Sequence, residues 1–422
     1  MILTTNAEIE ERFVRFDAVV RDVKESEREP VAAGLERYIG LEHIEPENLH
    51  VSEWGDLVVD EVSFTKVFRE GQVLFGKRRA YQRKVAIARF DGICSSDILT
   101  FEAKSPELHP DLLPFIVQSD GFFDHALDTS SGSLSPRTRW SQLKDYRFRL
   151  PSLAKQKWLA GVLWSADSAK LFYSKCVDQL IDLRASVFHE SVGLVGDNVL
   201  SDVLNKRRTD TLTGDNVVSI ESLANADRQV VQVGPFGGSL ASKYFRDQGT
   251  IVLKINNITE TGELDLTDAV RVDDSHAATL ERYRVRSDDL ITAAQATTGR
   301  TTLVSPEAEN ALISQHLIRV SVDRSRCEAR YLLACFHSPL ILHQINMVKA
   351  KTTRDGLNTD DVENFLIPLP SAARQLEIVA QLDAIDERIE VVEAHIERLD
   401  TVARVIREKE LYSAESCDGG GA

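Results

Sequence analysis

No apolar run in this sequence approaches the ~20 residues that a membrane-spanning helix needs. The opening stretch, Met1–Phe16, turns acidic early and lacks the basic start and apolar core of a signal peptide. The expected location is therefore the cytoplasm, without membrane contact. Cysteine is scarce: Cys94, Cys176, Cys327, Cys335 and Cys417 make no CxxC pair and no metal-ligand spacing. An odd, scattered set of this kind argues against a disulfide framework and fits a reducing compartment. His43, His50, His125, His276, His316, His337 and His343 also lack metal spacing. The run Gly234-Pro235-Phe236-Gly237-Gly238-Ser239 has the glycines of a phosphate loop but not its GK[ST] ending, and reads as a turn entering a second domain. There is no Walker A motif and no Asn-Pro-Pro-aromatic loop of a methyltransferase. Positive charge is in deficit, with 50 Lys and Arg against 66 Asp and Glu.

What is present is enough for a globular protein of two to three domains: 422 residues, 43% hydrophobic and 27% charged. The net charge of −16 disfavours phosphate binding by the chain as a whole. A local field matters more than the sum, however. Between Lys66 and Arg89 lie Lys66, Arg69, Lys77, Arg78, Arg79, Arg83, Lys84 and Arg89, against one acid, Glu70.

The sequence repeats itself. Tyr146–Gln156 (YRFRLPSLAKQ) recurs as Phe365–Gln375 (FLIPLPSAARQ). Alternating apolar residues predict a short strand, the proline stops it, and the serine is a good helix N-cap. Weaker matches extend upstream. Tyr38–Ile44 resembles Val252–Ile258, and Glu70–Leu74 resembles Ser287–Ile291. Lys84–Ala88 resembles Arg300–Val304, and Ile93–Ser95 resembles Leu312–Ser314. Each half reads as a mixed α/β globule of short strands and turns, closed by one long helix.

The helices carry heptads in the same phase relative to their Leu-Pro-Ser motifs. The first runs through Leu159, Ala166, Tyr173, Leu180 and Val187, with Val162, Ala169, Cys176 and Leu183 three residues after the first four. The second runs through Ile378, Leu382, Ile385, Ile389, Val392, Ile396, Leu399 and Ile406. Such seams occur in bundle cores, but a long seam flanked by charge favours a two-helix coiled coil. About 30 residues at ~1.5 Å each make a rod of roughly 45 Å, longer than one ~34 Å turn of B-DNA.

At this point the residues resemble a known family. Phe75–Ala86 (FGKRRAYQRKVA), Phe90–Ser95, Arg137-Thr138-Arg139-Trp140 and the Leu-Pro-Ser…Gln helix start are similar to the DNA specificity subunits of type I restriction–modification systems. Gly299–Val304 and Ile367–Pro370 extend the likeness to the second half, so that it covers about residues 30–410. The resemblance implies an α/β (α+β type) fold: two similar mixed target-recognition domains separated by two long helices in an antiparallel coiled coil. The expected division is 1–155 for the first domain, 156–192 for the central helix, 193–370 for the second domain, 371–412 for the last helix and 413–422 for a disordered tail. It further implies a non-catalytic subunit that reads a bipartite sequence in double-stranded DNA and docks two methyltransferase (modification) subunits. A restriction/translocase subunit is a further partner the family allows. This chain is expected to bind no cofactor, S-adenosylmethionine belonging to the partner methyltransferase.

The candidate DNA contacts are Lys77, Arg78, Arg79, Tyr81, Arg83 and Lys84 in the basic loop, with Arg137 and Arg139. Arginine and lysine bind phosphates or guanine edges, and Gly76 permits close backbone approach. In the second half they are Gln295, Thr297, Thr298 and Arg300, where glutamine and threonine suit adenine or thymine edges, and Lys349, Lys351 and Arg354 as phosphate grips. Solvated surface charge or an ordinary polar turn is the plainer explanation of each. The expected helix-pair interface is Leu159, Tyr173, Leu180, Ile378, Ile385, Val392 and Leu399. Two other readings stay open. Asp91 or Asp97 with Glu102 and Lys104 mimics the acid–acid–lysine set of a metal-dependent nuclease, and the coiled coil alone fits a scaffold without a DNA role.

Overall fold

The two Leu-Pro-Ser motifs do the same work in the computed structural model, which describes residues 12–60, 62–132, 136–193, 216–236, 238–351 and 356–412. Each stands between a short strand and a long helix. The first long helix is Leu153–Ser191 and the second is Ala372–Leu411. Ser152 Oγ accepts from Lys155 N, and Ser371 Oγ from Arg374 N, both at 3.4 Å, so each serine caps the first turn. The buried glutamine four residues later locks the joint. Gln156 Nε2 donates to the carbonyls of Pro151 (2.7 Å) and Glu107 (2.8 Å), and Gln375 Nε2 to those of Pro370 and Arg326 (both 2.9 Å).

The chain forms two compact units, Met1–Lys175 with Glu393–Ala422, and Cys176–Val392. In the first, β1 (Arg12–Arg15), β2 (Val20–Asp22), β3 (Arg37–Ile39), β4 (Gly55–Asp56), β5 (Lys66–Phe68), β6 (Val73–Gly76), β7 (Val85–Ile87), β8 (Gly92–Cys94), β9 (Ile98–Ala103) and β10 (Arg147–Leu150) form sheets ordered β2-β9-β6-β7 and β4-β3-β8-β5, and the pair β1-β10. Beneath β6 lies an aromatic core: Phe75 stacks on Phe101 and meets Phe122 edge-on, at centroid distances of 5.9 and 5.5 Å. That packing fixes the strand from which the basic loop leaves.

The second unit repeats the plan with β11 (Asn216–Ser219), β12 (Val231–Val233), β13 (Phe245–Arg246), β14 (Thr250–Leu253), β15 (Val270–Val272), β16 (Leu290–Ala293), β17 (Thr301–Leu303), β18 (Leu312–Ile313), β19 (Leu317–Val320) and β20 (Leu366–Leu369). Its sheets are ordered β12-β19-β16-β17 and β13-β15-β14-β18, with the pair β11-β20. The upstream sequence matches fall on equivalent elements. Parallel pairing of Tyr38 with Ile93 in β3–β8 has its counterpart in Val252 with Leu312 in β14–β18. Ser95 N bonds to Ile39 O as Ser314 N does to Leu253 O. The glycine-rich run 234–239 lies within this second unit, between β12 and β13, not at its boundary; Gly237 is outside the described residues.

Within each unit the two long helices run antiparallel. Lys155–Glu410 (2.6 Å) and Lys170–Asp400 (2.8 Å) pair them in the first unit, and Arg184–Asp386 (2.6 Å) in the second. The eight seam residues of the second helix, and Leu159, Ala166, Tyr173, Leu180 and Val187 of the first, are buried or half-buried. Two features differ from the expected seam. Leu159 and Ile378 are fully buried inside the cores of their own units, the former near Leu163 and Leu411 and the latter near Phe188 and Leu382, because each helix begins inside a globule. Leu183 is 48% exposed, since a pair of helices covers only one stripe of each. The expected tail 413–422 lies outside the described residues.

Candidate nucleic-acid interface

Between β6 and β7 the chain makes a tight turn with two non-glycine residues in the left-handed region, Arg79 (φ 54°) and Arg83 (φ 52°). The turn is pinned from three sides. Lys77 N donates to Asp97 O (2.9 Å), Thr138 N to Lys77 O (3.0 Å) and Arg79 N to Pro136 O (2.8 Å). This brings Arg137 and Arg139 beside the loop, with Arg78 and Arg137 in antiparallel bridge positions. Asp97 sits between two guanidiniums, 3.1 Å from Arg137 and 3.8 Å from Arg78. Among the described residues, Lys77, Arg79 and Arg139 have no carboxylate partner, so the patch is net positive in an acidic protein. Tyr81 is exposed at the same tip.

Two of the predicted contacts turn inward instead. Arg83 donates to Asp120 (2.6 Å), pairs with Glu47 (2.7 Å) and lies over the Phe123 ring at 4.5 Å. Lys84 Nζ donates to Leu41 O at 2.6 Å. Both buttress the loop, because the left-handed turn at Arg83 directs the chain back into the sheet. The wider basic stretch also disperses. Arg69 is held by Glu25 and Asp91, Lys66 donates to Ile98 O (3.0 Å), and Arg89 covers Trp164.

The second unit builds the same frame from different side chains. Ala294 N donates to His316 O (2.9 Å), and Leu357 N to Ala294 O (2.8 Å), matching the Lys77–Asp97 and Thr138–Lys77 bonds. Ala296 has φ 60°, where Arg79 stands in the first unit. Gln295 therefore occupies the place of Arg78, and His316 that of Asp97. Gln295 Oε1 lies 2.9 Å from His316 Nδ1, and Gln315 Nε2 lies 2.9 Å from His316 Nε2. Thr298 is half-buried, and Thr297 Oγ1 is buried with no hydrogen-bond partner among the described residues. Arg300 turns away, donating to Ile258 O (3.2 Å) and facing Glu260, and so buttresses its loop as Lys84 does. Lys349 lies one turn beyond Ile345 on the helix Pro339–Lys351, and Ile345 abuts Gly299. The Lys351 side chain and Arg354 lie outside the described residues.

Asp97, Gln315 and His316 escaped the sequence reading as interface residues. The signal was there: both Asp97 and His316 lie two residues beyond the matched serines Ser95 and Ser314. The nuclease set is not assembled. Asp97 is neutralised by arginines, Asp91 is held by Arg69, and Glu102 lies five residues along an extended chain from Asp97, roughly 16 Å, where Gln72 donates to it. No group of three or more metal-ligating side chains occurs among the described residues, and no helix there is long and apolar enough to cross a membrane.

Residues 229–401 match the type I restriction modification DNA specificity domain. The specificity subunit of type I restriction enzyme EcoDI of Escherichia coli is 28% identical over 145 residues, which are 34% of this chain and 32% of the relative. That of EcoBI, from the same organism, is 24% identical over 157 residues, 37% of this chain and 32% of the relative. The chain thus spans about a third of the length of the curated relatives it matches. Among solved structures, the S subunit of a type I restriction–modification system from M. genitalium aligns with a TM-score of 0.51 at 13% identity, covering 97% of this chain and 98% of that one. A chain from a type I system described for its complex assembly and conformational transition aligns with a TM-score of 0.50 at 18% identity, covering 94% and 97%. These two share the fold. Residues 229–401, most of the second unit, are thus similar to the type I restriction modification DNA specificity domain, and the chain shares along nearly its whole length the fold of the S subunit of a type I restriction–modification system.

Proposed function

We propose that this chain reads a bipartite sequence in double-stranded DNA, one half through the loop Lys77–Lys84 and the other through the loop Ala294–Arg300. The observation that carries the proposal is the shared backbone frame, which presents Arg78 in one unit and Gln295 in the other. Arginine suits guanine O6 and N7, and glutamine suits adenine N6 and N7. Lys77, Arg79, Arg137, Arg139 and Lys349 serve the phosphates, and Tyr81 supports the tip or stacks. In this reading the chain performs no catalysis and acts in the cytoplasm. The long helices dock two methyltransferase subunits, which bring S-adenosylmethionine, in an assembly that also leaves room for a restriction/translocase subunit. Apolar side chains left in solvent on the helices, including Trp158, Phe172, Ile181 and Val405, suit such docking.

The test is binding by the chain with its modification subunit to duplexes carrying or lacking the half-sites found by methylation sequencing. Salt-sensitive, sequence-specific binding is expected. Replacing Arg78 and Arg79 by Ala is expected to relax sequence preference at the base read by Arg78, to reduce the salt slope by about 1 through loss of the Arg79 phosphate contact, and to spare subunit assembly. Charge at Leu180 and Leu399, as Asp, is expected to split the helix pair and abolish assembly. Binding indifferent to sequence defeats the proposal, as does loss of assembly in the loop variant.

A further inference from the structure

The second unit has a cavity of about 530 Å³ at the end of β16 remote from the loop Ala294–Arg300. Five arginines wall it: Arg228, Arg282, Arg284, Arg286 and Arg319. Three have carboxylate partners. Arg228 pairs with Asp289 (2.7 Å), Arg286 with Asp227 (2.8 Å) and Arg284 with Glu281 (2.8 Å). Among the described residues, neither Arg282 nor Arg319 has a carboxylate at ion-pair distance, and Arg282 lies instead over the Tyr283 ring at 4.5 Å.

Arg319 is the unusual member. It stands in the middle of β19, 2% exposed. Among the described residues its terminal nitrogens reach only main-chain carbonyls, those of Arg284 (2.8 Å), Arg282 (3.0 Å) and Gln229 (3.3 Å), all in the cavity wall. Its Nε is buried and has no hydrogen-bond partner among the described residues. Burial, with the neighbouring charge of Arg228, pushes its pKa down to about 10. Asp289, whose charge also acts on Arg319, is already paired with Arg228; a buried cation without an ion pair of its own is costly, and a bound anion relieves the cost. Guanidinium forks match tetrahedral oxyanions in a bidentate manner. The recess admits a small molecule and keeps Arg319 away from a passing duplex.

We propose that this cavity binds a small phosphate-bearing anion, either inorganic phosphate or the terminal phosphate of a nucleotide, separately from the DNA-reading loops. The seat is formed by Arg319 at its base, with Arg282 and Arg286 at its rim. It does not depend on the DNA reading above.

The experiment is thermal melting and calorimetric titration of the full chain, in phosphate-free buffer, with inorganic phosphate, with ATP, and with sodium chloride at matched ionic strength. Saturable stabilisation by phosphate or ATP, absent with chloride, is expected. Response to phosphate identifies the free ion, and response to ATP alone identifies a nucleotide. Arg286 is solvent-accessible, so Arg286→Ala is expected to fold and to bind at least ~10-fold more weakly, with Arg282→Ala behaving alike. Arg78→Ala in the other unit is expected to bind as the parent does. Equal stabilisation by chloride, undiminished binding in both rim variants, or competition by a short duplex of unrelated sequence each overturns the proposal.

Discussion

Replacing Gln375 with Ala should cost the second unit about 3 kcal/mol, because this side chain ties three segments together. It is fully buried, and it donates to Pro370 O and Arg326 O while accepting from Glu328 N at 2.8 Å. Alanine strands one N–H and two carbonyls without water. A stranded buried group costs about 1–3 kcal/mol, with carbonyls, which keep a second lone pair, at the low end. The same sum applies to Gln156, which donates to Pro151 O and Glu107 O and accepts from His109 N at 2.8 Å. Glutamate at either position keeps the acceptor but loses the donor, and is expected to be worse still at neutral pH. A chain of two units does not melt as one two-state system, so hydrogen exchange read on β10 and β20 is the suitable assay. At one tenfold step per 1.4 kcal/mol, Gln375→Ala is expected to lower protection of β20 roughly 100-fold, and Gln156→Ala that of β10. Losses below about fivefold at both sites would refute the view of these glutamines as the locks of the helix starts.

Three further outcomes follow from the geometry. Asp97→Asn removes the charge that Arg78 and Arg137 share, so non-specific DNA affinity should rise with a salt slope steeper by about 1 while discrimination falls; filter binding across a salt series showing neither change contradicts the assigned role. The Asp91 carboxyl is held below the usual carboxylate range by the Glu70 N–H and by Arg69. Its folded pKa is depressed, so its contribution is present above the unfolded value of about 3.9 and is lost as pH falls through the folded one; urea midpoints between pH 5 and 2 should decline less steeply in Asp91→Asn. Burial pushes the Cys94 and Cys327 thiols up to about 12 and that of Cys335 up as well. Mass spectrometry after brief alkylation at pH 8 should therefore find the half-buried Cys176 modified and those three intact until urea is added.

Much of the architecture was legible because it is written twice. The phase-locked Leu-Pro-Ser…Gln motifs mark the two helix starts, and the short upstream matches mark paired strands, since register and cap chemistry depend on local residue order. Leu159 and Ile378 could not be told from seam residues by period alone, because a heptad position looks the same inside a globule and along a helix pair. The loop residues were found by charge, but their division into outward and inward groups depends on partners distant in sequence. Glu47, Asp120 and Phe123 draw Arg83 inward, and Leu41 O does so for Lys84. Pairing of Asp97 with Arg78 and Arg137, or of His316 with Gln295, is likewise a tertiary fact.

The left-handed residues at 79 and 296 have a consequence for how such a protein can change over generations. Main-chain bonds and the inward-turned side chains after the bend hold the tip, so the side chain just before the bend can be exchanged by a single codon without re-folding the turn. Chemistry at the tip is thus free to drift from a cation to an amide while the cost of making the bend stays constant. A lineage of such chains can acquire new preferences in small steps, none of which passes through a broken scaffold.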